Sequence, residues 1–234
     1  MKGKLNIIST PIGNYADLTL QALRILNESD LIICEENKEA FRFLKFFGIK
    51  KDFLLLNEHN EKESTDKYFS EILKGKIIAL ISDCGTPAFA DPGLNLIRKC
   101  IEYNIPLDFL PGANSVLAAV VISGFDISRF YYVGFLSPKK EVRRKELHEL
   151  KSLDRTFVII DAPYRLSVLL NDLEKIFPER NLFIGFNLTM QNEMQLRGTA
   201  SEILSYLEEL YPGKKLKGEF VIVVNKSKKK TKVI

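Results

Sequence analysis

Histidine is scarce in this chain, and its scarcity excludes a good deal. The 234 residues hold two, His59 and His148, far apart in sequence, which does not support a metal centre. Cysteine is nearly as rare. Cys34, Cys84 and Cys100 show no CxxC spacing, and an odd number argues against a disulfide framework. Cys84 lies inside a glycine-rich segment, but no histidine stands near it in sequence to activate a thiolate, so it reads as small loop filler. No stretch approaches the ~18 uninterrupted apolar residues of a membrane-spanning helix. Met1-Lys2-Gly3-Lys4 runs straight into a strand-like segment rather than into a signal-peptide core. A cytoplasmic protein with no membrane partner is the expectation. Two phosphate-binding signatures are also missing: neither G-x-x-x-x-G-K-[ST] nor G-x-G-x-x-G occurs, so an NTP cradle and a Rossmann pyrophosphate turn are not supported.

Against these absences stand three glycine-containing segments: Ser9-Thr10-Pro11-Ile12-Gly13-Asn14, Ser82-Asp83-Cys84-Gly85-Thr86-Pro87 and Pro111-Gly112-Ala113-Asn114-Ser115. Each closes an apolar, strand-like run (Leu5 to Ile8, Ile77 to Ile81, Leu107 to Leu110) and opens a helix-like one. In an open α/β sheet, ligands sit outside the carboxyl ends of the strands, where such loops converge. Glycine there permits positive φ and close approach of the main chain, and Ser, Thr and Asn add short hydrogen-bonding groups. The segments read as one pocket for a cofactor of modest charge, held largely by loop backbone.

The composition, 46% hydrophobic and 27% charged, suits a chain that buries a real core as one large or two small domains. The net charge of +4 is uneven: from Lys214 onward eight lysines face Glu219 alone, which leaves residues 1–213 at about −3. The body is not generically basic, and the Lys226–Lys232 run reads as a disordered tail, either gripping phosphate backbone or maintaining solubility.

Strand and helix patterns alternate: strands at 5–8, 31–34, 77–81 and 107–110, and helices from Leu18, Glu39 and the polar loop near Asn57–Glu63. A further helix has Asp91 as cap, Pro92 in its first turn and Leu94, Ile97 and Ile101 as its apolar face. Pro111-Gly112 reads as a hinge, giving domains 1–110 and 111–225 with a basic tail 226–234. The second half continues with a helix from Ser115, strands at 130–135, 156–160, 182–186 and 220–224, helices near Lys140–Leu150 and from Tyr164, and a capping box Thr199-x-x-Glu202. Repeats and heptads are absent.

Taken in order, Thr10-Pro11-Ile12-Gly13-Asn14 with Asp17-Leu18-Thr19, Glu58-His59-Asn60-Glu61, Ser82-Asp83-x-Gly85-Thr86-Pro87-x-x-x-Asp91-Pro92-Gly93, Pro111-Gly112, Gly134-Phe135-Leu136, Arg197-Gly198 and Lys217-Gly218-Glu219-Phe220 carry a resemblance. The chain resembles the RsmI-type small-subunit rRNA (cytidine-2′-O)-methyltransferases of the tetrapyrrole methylase superfamily, nearly end to end. The resemblance implies two α/β domains, each a mixed, mostly parallel sheet flanked by helices, S-adenosylmethionine in the cleft between them, no metal, and a homodimer acting on rRNA or a ribosomal subunit. It assigns Asp83, Gly85 and Thr86 to the methionine and ribose parts of the donor, Ser115 and Val116 to the next wall, Leu188 to the adenine, and Pro11, Gly13 and Asn14 to the substrate mouth.

For the chemistry, Glu35 and Glu36, after the second strand, are candidates to take the proton of a ribose hydroxyl, although each also fits a solvated acid at a helix start. Lys38, Arg42, Lys139, Arg143, Arg144 and Arg165 offer phosphate contacts that position RNA without reading its sequence. The departures fall on the acceptor side: Glu35-Glu36-Asn37-Lys38, Asp161-Ala162-Pro163-Tyr164-Arg165 and Phe186-Asn187-Leu188-Thr189 replace Glu-Asp-Thr-Arg, Glu-Ser-Pro-His-Arg and Arg-Glu-Leu-Thr patterns. Two other functions stay in view: the same fold methylating a small molecule such as a tetrapyrrole, and a non-catalytic RNA or ribosome-assembly binding protein.

Overall fold

Residues alternate between two apolar faces along the first strands, which is what a sheet covered by helices on both sides demands. The computed structural model describes residues 3–214 and 216–227 and divides the chain into two compact units, residues 1–114 and 115–234. In the first, β1 (Lys4–Ile8), α1 (Leu20–Glu28), β2 (Leu31–Cys34), α2 (Asn37–Phe46), β3 (Phe53–Leu55), α3 (Glu61–Leu73), β4 (Ile77–Ile81), α4 (Leu94–Glu102) and β5 (Leu107–Leu110) follow in order. The sheet runs β3-β2-β4-β1-β5 with every pair parallel.

Ile8, Ile32, Cys34, Ala79 and Ile81 pack with α1 and α2 on one face, while Leu5, Ile7, Ile33, Ile78 and Leu80 pack with α3 and α4 on the other. The chain leaves β1 toward β2 on one side and leaves β4 toward β5 on the other. The loops after these neighbouring strands therefore sit side by side where the winding of the sheet reverses, the place where open α/β sheets bind ligands.

Two expectations about α4 are corrected. Its N-cap is Gly93, at φ +122°, and not Asp91. Its buried residues are Leu96 and Cys100, whereas Leu94 and Ile101 are exposed. The cap is supplied from a distance, the Glu61 carboxylate accepting from the backbone N–H of Gly93 (2.9 Å) and of Asn95 (3.3 Å).

The second unit contains α5 (Ser115–Ser123), β6 (Phe130–Gly134), α6 (Lys140–Glu149), β7 (Thr156–Ile160), α7 (Leu166–Ile176), β8 (Leu182–Phe186), β9 (Met194–Gly198), α8 (Ala200–Leu210) and β10 (Phe220–Val224). Its sheet order is β6-β7-β10-β8-β9. Thr199 and Glu202 form the expected capping box of α8.

The α/β class holds throughout, and five of the eight strand pairings in the two sheets are parallel, but unevenly so. In the second sheet only β6–β7 is parallel: β10 returns between β7 and β8 and runs antiparallel to both, and β9 folds back antiparallel on β8. Residues 228–234, most of the basic tail, lie outside the described residues. Lys226 is tied down by an ion pair with Asp126 at 2.6 Å, and the Ser227 hydroxyl accepts from the Arg180 guanidinium at 2.9 Å.

Candidate functional site

The loops after β1 and β4 are pinned to one another by short polar side chains. The Gly85 carbonyl accepts from the Thr10 amide (2.7 Å), the Thr10 hydroxyl (3.3 Å) and the Ser82 hydroxyl (3.2 Å), and Thr10 also donates to the Ser82 carbonyl at 3.1 Å. Ser9 and Thr86 share a hydroxyl pair at 3.0 Å. Gly85 has φ +85°, a conformation a side chain would strain. Pro11 is buried, while Gly13 and Asn14 are exposed at the outer edge of their loop. The Asn14 side chain caps a short 3-10 turn by accepting from Ala16 N–H at 3.0 Å.

Carboxylates gather around these loops. Glu35 and Glu36 follow β2, Glu58 follows β3, and Asp83 and Asp91 follow β4. Asp83 accepts from the Glu36 amide at 3.1 Å, which joins the β2 and β4 ends. Burial, and then the negative charges of Asp91, Asp83, Glu36 and Glu58, push the half-buried Glu35 carboxyl up to about 7. Burial likewise raises Asp83, though the Glu36 amide pulls it back in part. Burial and the charge of Asp83 push the Cys34 thiol up to about 12, so it stays protonated.

The charges acting on Glu35 are all of its own sign, so a positive group placed beside it would be stabilised. A sulfonium ion carrying an α-ammonium group fits that donor set. Sequence reasoning singled out Glu35, Glu36 and Asp83 but not Glu58 or Asp91 as site acids. The signal is their position just past strand ends, hidden for Glu58 because β3 has only three residues and is followed by a polar stretch.

Of the residues expected to contact phosphate, Lys38, Arg42 and Lys139 are exposed, with Arg42 held by Glu39 at 3.0 Å. Arg143 and Arg165 instead turn their guanidinium groups inward, onto carboxylates and carbonyls of the second unit. Arg143 is 4% exposed, pairs with Asp172 at 2.8 Å and donates to the carbonyls of Ser137 (3.3 Å) and Pro138 (3.1 Å). Arg165 pairs with Asp161 at 2.8 Å and donates to Leu136 (3.1 Å) and Ser137 (2.8 Å) carbonyls. Arg144 completes the group with Asp172 at 2.8 Å and stays partly exposed. Burial raises Asp172, but the two arginines together hold it below its usual range.

Also in the second unit, Ser115 opens α5, and Val116 is buried in that helix. Leu188 is buried beside Gly185, where a Cβ would come within 2.9 Å of its methyl groups. Among the described residues no group of His, Cys, Asp and Glu is arranged to hold a metal ion, and no helix is long and apolar enough to cross a membrane.

Solved structures of methyltransferases share the fold. A cobalt precorrin-4 methyltransferase superposes with a TM-score of 0.68 at 14% identity, covering 95% of this chain and 94% of that one. The uroporphyrin-III-C-methyltransferase of Thermus thermophilus does so with 0.65 at 18% identity and the same coverage. The profile of the Tetrapyrrole (Corrin/Porphyrin) Methylases matches residues 4–204. The chain belongs to this family of methylases.

Within it, the likeness is much higher to proteins named Ribosomal RNA small subunit methyltransferase I. The one from Thermotoga maritima is 38% identical over 223 residues, 95% of this chain and 98% of that protein. The one from Neisseria meningitidis serogroup B is 36% identical, covering 95% of this chain and 76% of that protein.

Proposed function

We propose that this chain is an S-adenosylmethionine-dependent methyltransferase that methylates the ribose 2′-hydroxyl of a cytidine in small-subunit rRNA. The observation that carries the reading is the 38% identity over nearly the full length of a ribosomal RNA small subunit methyltransferase. The likeness to tetrapyrrole enzymes, at 14% and 18% identity, is one of fold alone.

When bound, the donor supplies an electrophilic methyl group on a cationic sulfur. The residues of the first unit do the rest. Gly85 and Thr86, locked by Ser9, Thr10 and Ser82, offer main-chain and hydroxyl groups in a fixed frame, so little reorganisation is needed at the moment of reaction. Asp83, joined to the Glu36 amide, offers a carboxylate for ribose hydroxyls or for an ammonium group. Glu35 takes the proton of the attacking hydroxyl. Its carboxyl at about 7 is basic enough to accept that proton and is ionised in a large share of molecules at neutral pH. The lysines and arginines that remain exposed hold phosphates.

Incubation with methyl-labelled S-adenosylmethionine and small ribosomal subunits lacking the modification tests this reading. Label in the RNA is expected. Label passing instead to a tetrapyrrole offered in parallel would replace it with the small-molecule reading, and RNA binding without transfer would replace it with a non-catalytic one.

A further inference from the structure

Helix α2 is built inside-out at two positions. Its buried face carries Ala40, Phe43 and Leu44, yet Phe41 and Phe46 stand 60% and 65% exposed on the side where a surface helix is normally polar. By helical spacing Lys38, Phe41, Arg42 and Lys45 share that outer face. The Lys45 ammonium lies over the Phe41 ring, 5.9 Å from its centroid. Phe46 stacks edge-on against Tyr15 with centroids 4.8 Å apart, which fastens the turn after Gly13-Asn14 to the same helix.

Beside Phe41 lies a hollow of about 270 Å³, floored by Leu44, Ile49 and Phe53 and bordered by Lys45 and Lys50. Between residues 38 and 51 there are five basic residues against Glu39 alone, in a chain whose first 213 residues carry about −3. Lys51 is committed, its ammonium donating to the Ser29 carbonyl.

Exposed rings interleaved with ammonium groups, next to an apolar hollow, match a single-stranded polynucleotide: unstacked bases pair with ring faces and phosphates with the cations. We infer that the outer face of α2 is a docking platform for unpaired RNA, with Phe41 and Phe46 as base-stacking groups and Lys45 and Lys50 as phosphate contacts. The inference rests on the RNA-methyltransferase reading and deepens it, since α2 starts directly after Glu35 and Glu36. It places a sequence-tolerant grip on the acceptor strand beside the proposed base.

The test is fluorescence anisotropy of a short, mixed-sequence, fluorescein-labelled single-stranded RNA titrated with the full chain over a range of salt concentrations. Phe41→Ala, alone and combined with Phe46→Leu, is expected to weaken binding about tenfold or more with the salt slope unchanged. Lys45→Gln with Lys50→Gln is expected to lower the slope of log K against log salt by about 1.4, two contacts at about 0.7 each. Thermal melting and calorimetric affinity for S-adenosylmethionine, both expected to stay at wild-type values in Phe41→Ala and in the double lysine variant, separate these effects from misfolding.

Failure of the wild type to bind the RNA, or unchanged binding by the Phe41 variants, overturns the inference. So does finding that the same variants instead abolish binding to anionic vesicles or dissociate a dimer. Methyl transfer to subunits is measured alongside. Transfer with a silent α2 face defeats this inference alone, whereas RNA binding that depends on Phe41 without any transfer defeats the catalytic reading and leaves the platform standing.

Discussion

Glu35 is the residue on which most of the proposed chemistry turns, and its ionisation follows from its neighbours. A carboxyl pushed up to about 7 by burial and by four like charges is half-ionised near neutral pH. The rate of methyl transfer is therefore expected to rise through an apparent pKa near 7, and Glu35→Gln to lower kcat by about 10²–10⁴-fold with donor affinity retained. A pH–rate profile on both proteins checks this, and an unchanged acid limb in the variant removes Glu35 from the role. The same shift has a stability consequence of fixed sign. The folded pKa lies above the ordinary value of 4.5, so the stabilising contribution is intact below about pH 4.5 and is lost as pH rises through about 7. Glu35→Gln should then be more stable than the wild type at pH 8 by about 1–2 kcal/mol, after discounting for solvent screening of a half-buried group, and not at pH 4. Urea unfolding at the two pH values reads it directly. At Asp83, Asp83→Ala should weaken S-adenosylmethionine binding with the fold intact, and unchanged calorimetric affinity would take Asp83 out of the site. These residues were legible because each follows an obvious strand. What could not be read was the mutual repulsion of five acids, since it depends on distances that only the folded loops set.

Among the elements, the long apolar strands and the helices with strong caps were legible and the short or edge strands were not. β3 has three residues, all only partly buried, and β9 buries Leu196 alone among Met-Gln-Leu-Arg-Gly. The apolar run at β3 is only four residues long, Phe53-Leu54-Leu55-Leu56, and the alternation at β9 covers only Met194-Gln195-Leu196-Arg197, each at the lower limit of what marks a strand. The start of α4 misled for a related reason. Asp91-Pro92 has the composition of a cap, but the carboxylate that satisfies the first amides is Glu61, 32 residues earlier in sequence. Glu61→Ala is expected to cost about 1 kcal/mol in urea unfolding, the usual price of an N-cap, and wild-type stability in that variant would show the contact to be idle. Basic runs misled in the opposite direction. Lys139-Lys140-x-x-Arg143-Arg144-Lys145 looks like one phosphate-binding stripe, but helix geometry turns Arg143 inward onto Asp172. Arg143→Ala should therefore destabilise the fold by about 2–3 kcal/mol, because the buried Asp172 carboxylate keeps only Arg144 and the carbonyls of Ser137 and Pro138 lose their donor. A change in RNA affinity with stability preserved would contradict that assignment.

For the whole molecule, the order of glycine-bearing loops was enough to suggest an α/β chain with a loop-built pocket, and the strand order explains why: the loops after β1 and β4 meet where the sheet's winding reverses. The central position of the last strand, β10, in the second sheet was beyond sequence patterning. All five of its residues are buried, which signals a central strand but not its direction. The relatives give the chain its place among methylases, and in the function proposed the acids after β2, β3 and β4 handle the cationic donor and the hydroxyl proton. The most direct measurement is nucleoside mass spectrometry of small-subunit rRNA after incubation of unmodified subunits with S-adenosylmethionine and either the wild-type chain or Asp83→Ala. A 2′-O-methylcytidine peak is expected with the wild type and its loss or strong reduction with the variant. A methyl group on a base, or the same peak from both proteins, would contradict the account.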